Sequence, residues 1–514
     1  MNKRILTTIV FITAILVLGI NPGLAKNTSI VTDESGITGD MFDIHIAPWF
    51  IEELYSNYSV GEHVSMDINP HNGITLISFY NQEKGDLRLA RHVGSGGNCG
   101  PDDTWQCISI DSSANVGQYN SIATIAAITG PVQHGDQVDP TQSESILPTE
   151  HGVGYTISYY DADNGALKYA TGLCTDESCS IAAYTIDSGN PNYKYYRGLY
   201  TSVKYDSNFK PHIAYYKHGD YIQDGLVYAH YVGDGSGNCG KGNVAGDWQC
   251  DEIIQGEGVG MYASLDIDQY DNPVIAYYDS EWGYPYVAKY VGTGGNCGPI
   301  NNWYCRSVHQ LNKDTGRYVS MYLDNDNKIH LAYYNSTDDT LEYAKEEEVT
   351  EVGNCGYNGV TGKFEWQCDW IDDMGTSLKP MGIDIAEDKL GLPVIAYQDA
   401  TDIRAPAALK LARPDYAFFK TPGVPNCGPM DLVDIYHTWY CNLIDGGGAD
   451  LDEARSVAIG INPAGLATIA YHELNSYPYP PEGYLKIAFQ QLQLFLPLIP
   501  EEFSPVSSVG VFGR

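Results

Sequence analysis

An all-β, seven-bladed β-propeller of four-stranded blades is predicted by three observations on the 514 residues. A unit of four strand-like runs recurs seven times, a solitary strand-like run precedes the first unit, and the twelve cysteines fall into six close couples. Composition agrees, because 41 Tyr, 54 Gly and 26 Pro supply strand formers and turn formers. Charge excludes one large class of function. With 29 Lys plus Arg against 65 Asp plus Glu, the net charge of -36 repels phosphate, and no nucleic-acid partner is expected.

The chain opens with Lys3 and Arg4, an apolar run from Ile5 to Ile20, and the small-residue context Gly23-Leu24-Ala25. This pattern reads as a secretory signal peptide over residues 1-25, the run being shorter than the ~20 residues of a spanning helix. No later segment is long enough to span, so the mature chain is expected without a transmembrane segment, secreted or at the cell surface, where cysteines pair.

WFIEELY, from Trp49, is the solitary strand. Seven units follow, and the third displays the type: TSVKYD from Thr201, PHIAYY from Pro211, LVYAHYV from Leu226 and WQCDEII from Trp248. The first run carries a column of small residues at Ser65, Ser121, Ser202, Ser264, Ser320, Gly382 and Ser456. A Trp precedes that column by 16 or 17 positions in six units, from Trp49 to Ser65 through Trp439 to Ser456. The second runs are ISFYN, ISYYD, IAYYK, IAYYD, LAYYN, IAYQD and IAYHE, near-continuously apolar and therefore fit for sheets covered on both faces. The last unit has only three runs, so the solitary N-terminal strand is expected to complete the seventh blade and close the ring. A polar insertion from Thr129 to Gly152 lengthens the second unit.

The couples are Cys99 with Cys107, Cys174 with Cys179, Cys239 with Cys250, Cys297 with Cys305, Cys355 with Cys368, and Cys427 with Cys441. Five share the frame Asn-Cys-Gly, a variable loop, then Trp-x-Cys. Both members of a couple fall in the hairpin between third and fourth strands, which predicts one disulfide in each of six blades. The seventh blade has no such continuous hairpin. Variable inner spacing without a fixed His argues against zinc, and the absence of Cys-x-x-Cys argues against redox chemistry.

The unit resembles that of secreted, mostly bacterial propeller repeat proteins, over about residues 40 to 490, with a C-terminal tail at 491-514. It also loosely resembles the sialidase-like Asp-box propellers, whose box places a Trp at the same turn. Here Asn-Cys-Gly replaces the box, and the arginine triad, Tyr-Glu pair and Asp acid of that family find no residue-by-residue counterpart.

Two columns point toward the propeller mouth. Two positions ahead of the small residues stand His63, Tyr119, Tyr200, Tyr262 and Tyr318, with Pro380 and Ala454 in the last two units. After the second strand come residues that include Asp279, Asp399 and Glu473, and Arg197, Arg317 and Arg455 flank the same inner strands. Aromatic rings beside charged groups suit a sugar, so these residues form the candidate ligand-binding set. The competing reading makes the tyrosines inter-blade packing and the acids turn residues. No cofactor is implied. Calcium is the one ion with candidate ligands, at Asp266-x-Asp268 and Asp324-Asn325-Asp326-Asn327, and both stretches read better as turns.

Catalytic motifs of the Gly-x-Ser-x-Gly, His-Glu-x-x-His and phosphate-loop kinds are missing. The expected function is a binding or scaffold protein for a glycan or a surface protein partner. An extracellular sialidase-like glycoside hydrolase or lyase is the alternative, because two carboxylates converging from distant blades leave no local motif.

Overall fold

A computed structural model describes residues 43-46, 49-57, 60-128, 148-176, 178-219, 224-308, 312-347, 353-359, 361-375, 382-399, 408-415, 425-430, 437-446, 453-475, 482-490 and 492-495. The expected signal peptide, most of the insertion, Pro380 and the end of the tail lie outside them.

Residues 50-489 form one compact unit of seven antiparallel sheets. Blade 1 comprises Val60–Ile68, Thr75–Asn81, Asp86–His92 and Trp105–Asp111, in that spatial order from the axis outward. Successive inner strands contact one another around the ring, and the seventh returns to the first. Closure follows the expected route. The strand Phe50–Asn57 pairs with Glu482–Phe489, placing Phe50 opposite Phe489 and Tyr55 opposite Leu485, and so supplies the outer strand of blade 7. A second unit contains the strand Asp43–Ile46 paired antiparallel with Leu492–Phe495.

The small-residue column is explained by the seams between blades. Ser65 Oγ accepts the N–H of Ile122 at 3.1 Å, and Ser121, Ser202 and Ser264 likewise accept those of Val203, Leu265 and Met321 on the next blade. A larger residue would hold the inner strands apart, and a residue without an acceptor would leave a backbone donor unpaired.

Blades 6 and 7 correct the sequence register. Asp384 pairs with Ala396 and Ala458 with Ala470, the rungs that Ser264 and Ser320 make with Ala276 and Ala332. The column therefore continues into Asp384 and Ala458, two positions beyond Gly382 and Ser456. Asp384 Oδ2 takes over the seam by accepting Ile459 N–H at 2.9 Å. Ala458 has no acceptor, and Ser456 Oγ instead accepts Val64 N–H at 2.9 Å across the closing seam.

All six expected disulfides are formed, with Cα separations of 5.8–6.0 Å in five and 3.9 Å in Cys174–Cys179. The Asn-Cys-Gly frame now has a physical reason at each position. The Asn side chain imitates a strand: Asn296 Oδ1 accepts Cys305 N–H at 2.6 Å while its Nδ2 donates to Cys305 O at 2.9 Å. Gly298 has φ +83°, and a Cβ there would lie 2.5 Å from the Trp303 indole. Trp303 is buried and meets Tyr228 of the preceding blade at 5.2 Å, so the stapled hairpin locks one blade onto another.

Candidate functional site

Five of the inner strands break their ladder at the same two places. In blade 4, Val259 pairs with Asp279, Met261 with Tyr278 and Ser264 with Ala276, leaving Gly260 and then Tyr262 and Ala263 bulged. The first bulge requires glycine: Gly260 has φ +105°, and a Cβ would fall 2.9 Å from the Leu226 backbone of blade 3. The second bulge turns Tyr262 into the left-handed region at φ 54°. His63, Tyr119, Tyr200 and Tyr318 adopt the same conformation at 53°, 52°, 51° and 57°. Such a conformation is strained for a bulky residue and persists only where surrounding contacts impose it. Some of these contacts are visible: Tyr119 O accepts Thr201 Oγ1 from the next blade at 2.7 Å.

The consequence is a collar. Centroid distances are 4.5 Å from His63 to Tyr119, 4.7 Å to Tyr200, 4.6 Å on to Tyr262 and 4.7 Å on to Tyr318. The phenols of Tyr119, Tyr200, Tyr262 and Tyr318 act on one another's ionisation in series. All five side chains are half-buried. A second tier backs them, since Tyr80, Tyr160, Tyr216 and Tyr278 from the second strands stand 6.1–6.4 Å behind His63, Tyr119, Tyr200 and Tyr262.

The collar is an arc of five blades. Blade 7 lacks the second bulge, since Ser456, Val457 and Ala458 pair without interruption with His472, Tyr471 and Ala470. In blade 6, Ile383 opposite Tyr397 and Asp384 opposite Ala396 are equally regular. Ala454 pairs with Glu473 and occupies no collar position, contrary to the sequence alignment. Blades 6 and 7 also carry Gln398 and His472 where the other five have the second-tier Tyr. That coincidence of two columns was readable in the sequence and marks the collar residues as a set.

The charged candidates are placed differently. Arg317 belongs to the collar: it pairs with Asp314 at 2.8 Å and lies 6.0 Å over the ring of Tyr278. Arg197 pairs with Asp187 at 3.6 Å. Asp279 accepts the N–H groups of Glu281 and Trp282 and so shapes a turn, while burial raises its pKa. Asp399 is held by Lys410 at 2.5 Å, and Glu473 by Lys486. The side chain of Arg455 lies outside the described residues. The sequence reading missed Glu62, whose charge bears on Tyr80 and Tyr119, and the second-tier tyrosines.

Of the calcium candidates, Asp266 lies in the strand Val259–Ile267 and accepts the N–H of Leu323 on the next blade at 2.9 Å, and Asp268 and Asp324 shape turns. Asp268 Oδ1 accepts the N–H groups of Tyr270 and Asn272, and Asp324 Oδ1 those of Asp326 and Lys328.

Burial governs the collar's electrostatics. It raises the phenol pKa of Tyr119, Tyr200, Tyr262 and Tyr318, with neighbouring hydroxyls and Glu62 as smaller causes. It lowers the His63 imidazole to about 4, so the ring is neutral at neutral pH. Along the same innermost strands, the solvent-exposed Lys204 feels the carboxylates of Asp266, Asp67 and Asp384.

No protein-family model and no curated protein matches this chain. Solved structures similar to it include a protein of unknown function from Dyadobacter fermentans, at 10% identity over 88% of this chain and 99% of that one, TM-score 0.39. The lectin of Aleuria aurantia is similar at 11% identity over 77% and 99%, TM-score 0.38. The NanB sialidase of Streptococcus pneumoniae is similar at 11% identity over 88% and 70%, TM-score 0.35. The seven blades follow from this chain's own strand pairing.

Proposed function

We propose that the protein is a secreted carbohydrate-binding propeller whose ligand rests on the aromatic collar. The observation that carries the reading is the left-handed conformation of five successive ring-bearing residues. Strain maintained on five blades and absent from the regular strand of blade 7 is unnecessary for closing a ring, and strain of this kind concentrates where side chains must be presented to a ligand. Aromatic faces take the apolar faces of pyranose rings, and the phenol hydroxyls offer donors and acceptors to sugar hydroxyls. Six disulfides with no free cysteine support an oxidising, extracytoplasmic location.

Binding is favoured over catalysis at this collar. A tyrosine nucleophile is favoured by a lowered pKa, whereas burial pushes the phenols of Tyr200 and Tyr262 upward and leaves them protonated.

A glycan array followed by calorimetry tests the proposal. Tyr262→Ala and Tyr318→Ala are expected to weaken binding about tenfold or more while the protein stays folded. Intact binding combined with a sharply lower melting temperature makes the rings packing residues and removes the site.

A further inference from the structure

We infer that the collar selects a positively charged amino sugar over neutral or acidic sugars. The inference rests on the carbohydrate reading above and adds the sign of charge to it. Carboxylates border the aromatic tiers: Tyr216 donates to Asp224 at 2.7 Å and Tyr334 to Asp339, while Asp314, which accepts from Tyr278 at 2.7 Å, is offset by Arg317. The charge of Glu62 bears on Tyr80 and Tyr119 at the other end of the arc. The phenol faces are themselves electron-rich and attract cations.

Arg317 shows that the arc accommodates a cation. Its guanidinium lies over Tyr278 and acts on Tyr262 and Tyr318, yet Asp314 already neutralises it at 2.8 Å. His63 adds no charge at neutral pH. An acidic sugar would therefore meet bordering carboxylates with one paired arginine as its counter-charge, and the net charge of -36 would oppose its approach. A hexosamine with a free, protonated amine meets the opposite field and sets its ammonium against ring faces and carboxylates together.

Calorimetry on the full chain with three probes tests this: a fully deacetylated glucosamine tetramer, its N-acetylated counterpart, and a galacturonate oligomer, each at low and high salt and mildly acidic pH. The deacetylated tetramer is expected to bind about tenfold more tightly than the acetylated one at low salt, and to lose most of that advantage at high salt. Glu62→Gln should narrow the preference severalfold, and a preference left unchanged would overturn the charge argument at that end of the arc. If the acetylated or acidic oligomer binds as tightly as the deacetylated one, the sign of selectivity is wrong although the glycan reading stands. If none of the three binds, this inference falls, and the array shows separately whether the glycan reading falls with it.

Discussion

Tyr262 and Tyr318 stand on neighbouring blades with ring centroids 4.7 Å apart, each in a left-handed backbone conformation that tyrosine rarely enters. Each such residue costs about 1–2 kcal/mol relative to ordinary backbone. The strain is local, so it can be separated from the loss of the ring.

Replacing Tyr262 by Gly and by Ala provides the separation. Both variants lack the ring, and only glycine occupies φ 54° without penalty. The glycine variant should be the more stable by roughly 1 kcal/mol, reversing the order found in an ordinary strand. Urea unfolding measures the difference, and an alanine variant that is the more stable would contradict the left-handed assignment.

Ring closure rests on the strand Phe50–Asn57. Deleting residues 40 to 60 removes the partner of Glu482–Phe489 and leaves an unpaired edge beside the buried Leu485 and Ile487. The truncated chain should aggregate and melt at lower temperature. A truncation as soluble and heat-stable as the parent would remove the closure argument.

Blade number, closure and cysteine pairing were legible because each is a local pattern repeated several times. The register of blades 6 and 7 was not. Counting from Trp366 and Trp439 assumes that every inner strand bulges alike, whereas Ser456 to Ala458 run regularly and Asp384 replaces a serine on the seam. The collar was legible as the column of Tyr119, Tyr200, Tyr262 and Tyr318, because equivalent positions on neighbouring blades must meet near the axis. The ion pairs of Asp399 and Glu473 were not legible because their partners, Lys410 and Lys486, lie on the adjoining third strands, a pairing that only the folded sheet reveals.

Glu387 should respond to pH in a characteristic way. Burial, then the charges of Asp324, Asp266 and Asp388, push its carboxyl up to about 7. The unfolded chain releases this proton near pH 4.5, so ionisation penalises the folded state increasingly from about 4.5 to 7 and fully above. Glu387→Gln keeps the acceptor that Asn325 Nδ2 uses at 3.1 Å and removes the charge. The variant should gain on the order of 1 kcal/mol at pH 8, discounted for partial solvent screening, and nothing near pH 4.5. His63 and His330, both lowered to about 4 by burial, withdraw stability as pH falls from about 6.5. They do so equally in both proteins, so an equal gain at the two pH values would refute the electrostatic cause.

Lys204 lies in the field of three carboxylates that serve the blade seams. Asp67 accepts the N–H of Thr124 at 2.7 Å, Asp266 that of Leu323 at 2.9 Å, and Asp384 that of Ile459 at 2.9 Å, each on the following blade. Burial alone would lower the Lys204 pKa, but Asp266, Asp67 and Asp384 outweigh it and raise it, so the ammonium stays charged at neutral pH. Lys204→Met retains most of the stem and deletes the cation, leaving the acids without their counter-charge. The loss should be roughly 1–3 kcal/mol at neutral pH, below that of a fully buried pair because Lys204 reaches solvent. It should shrink as pH falls, because burial already raises the pKa values of Asp67 and Asp384 and their protonated forms no longer interact with the cation. Parallel urea titrations across pH 7.5 to about 4 decide the matter: a loss independent of pH would assign Lys204 to packing through its stem and separate the seams from its charge.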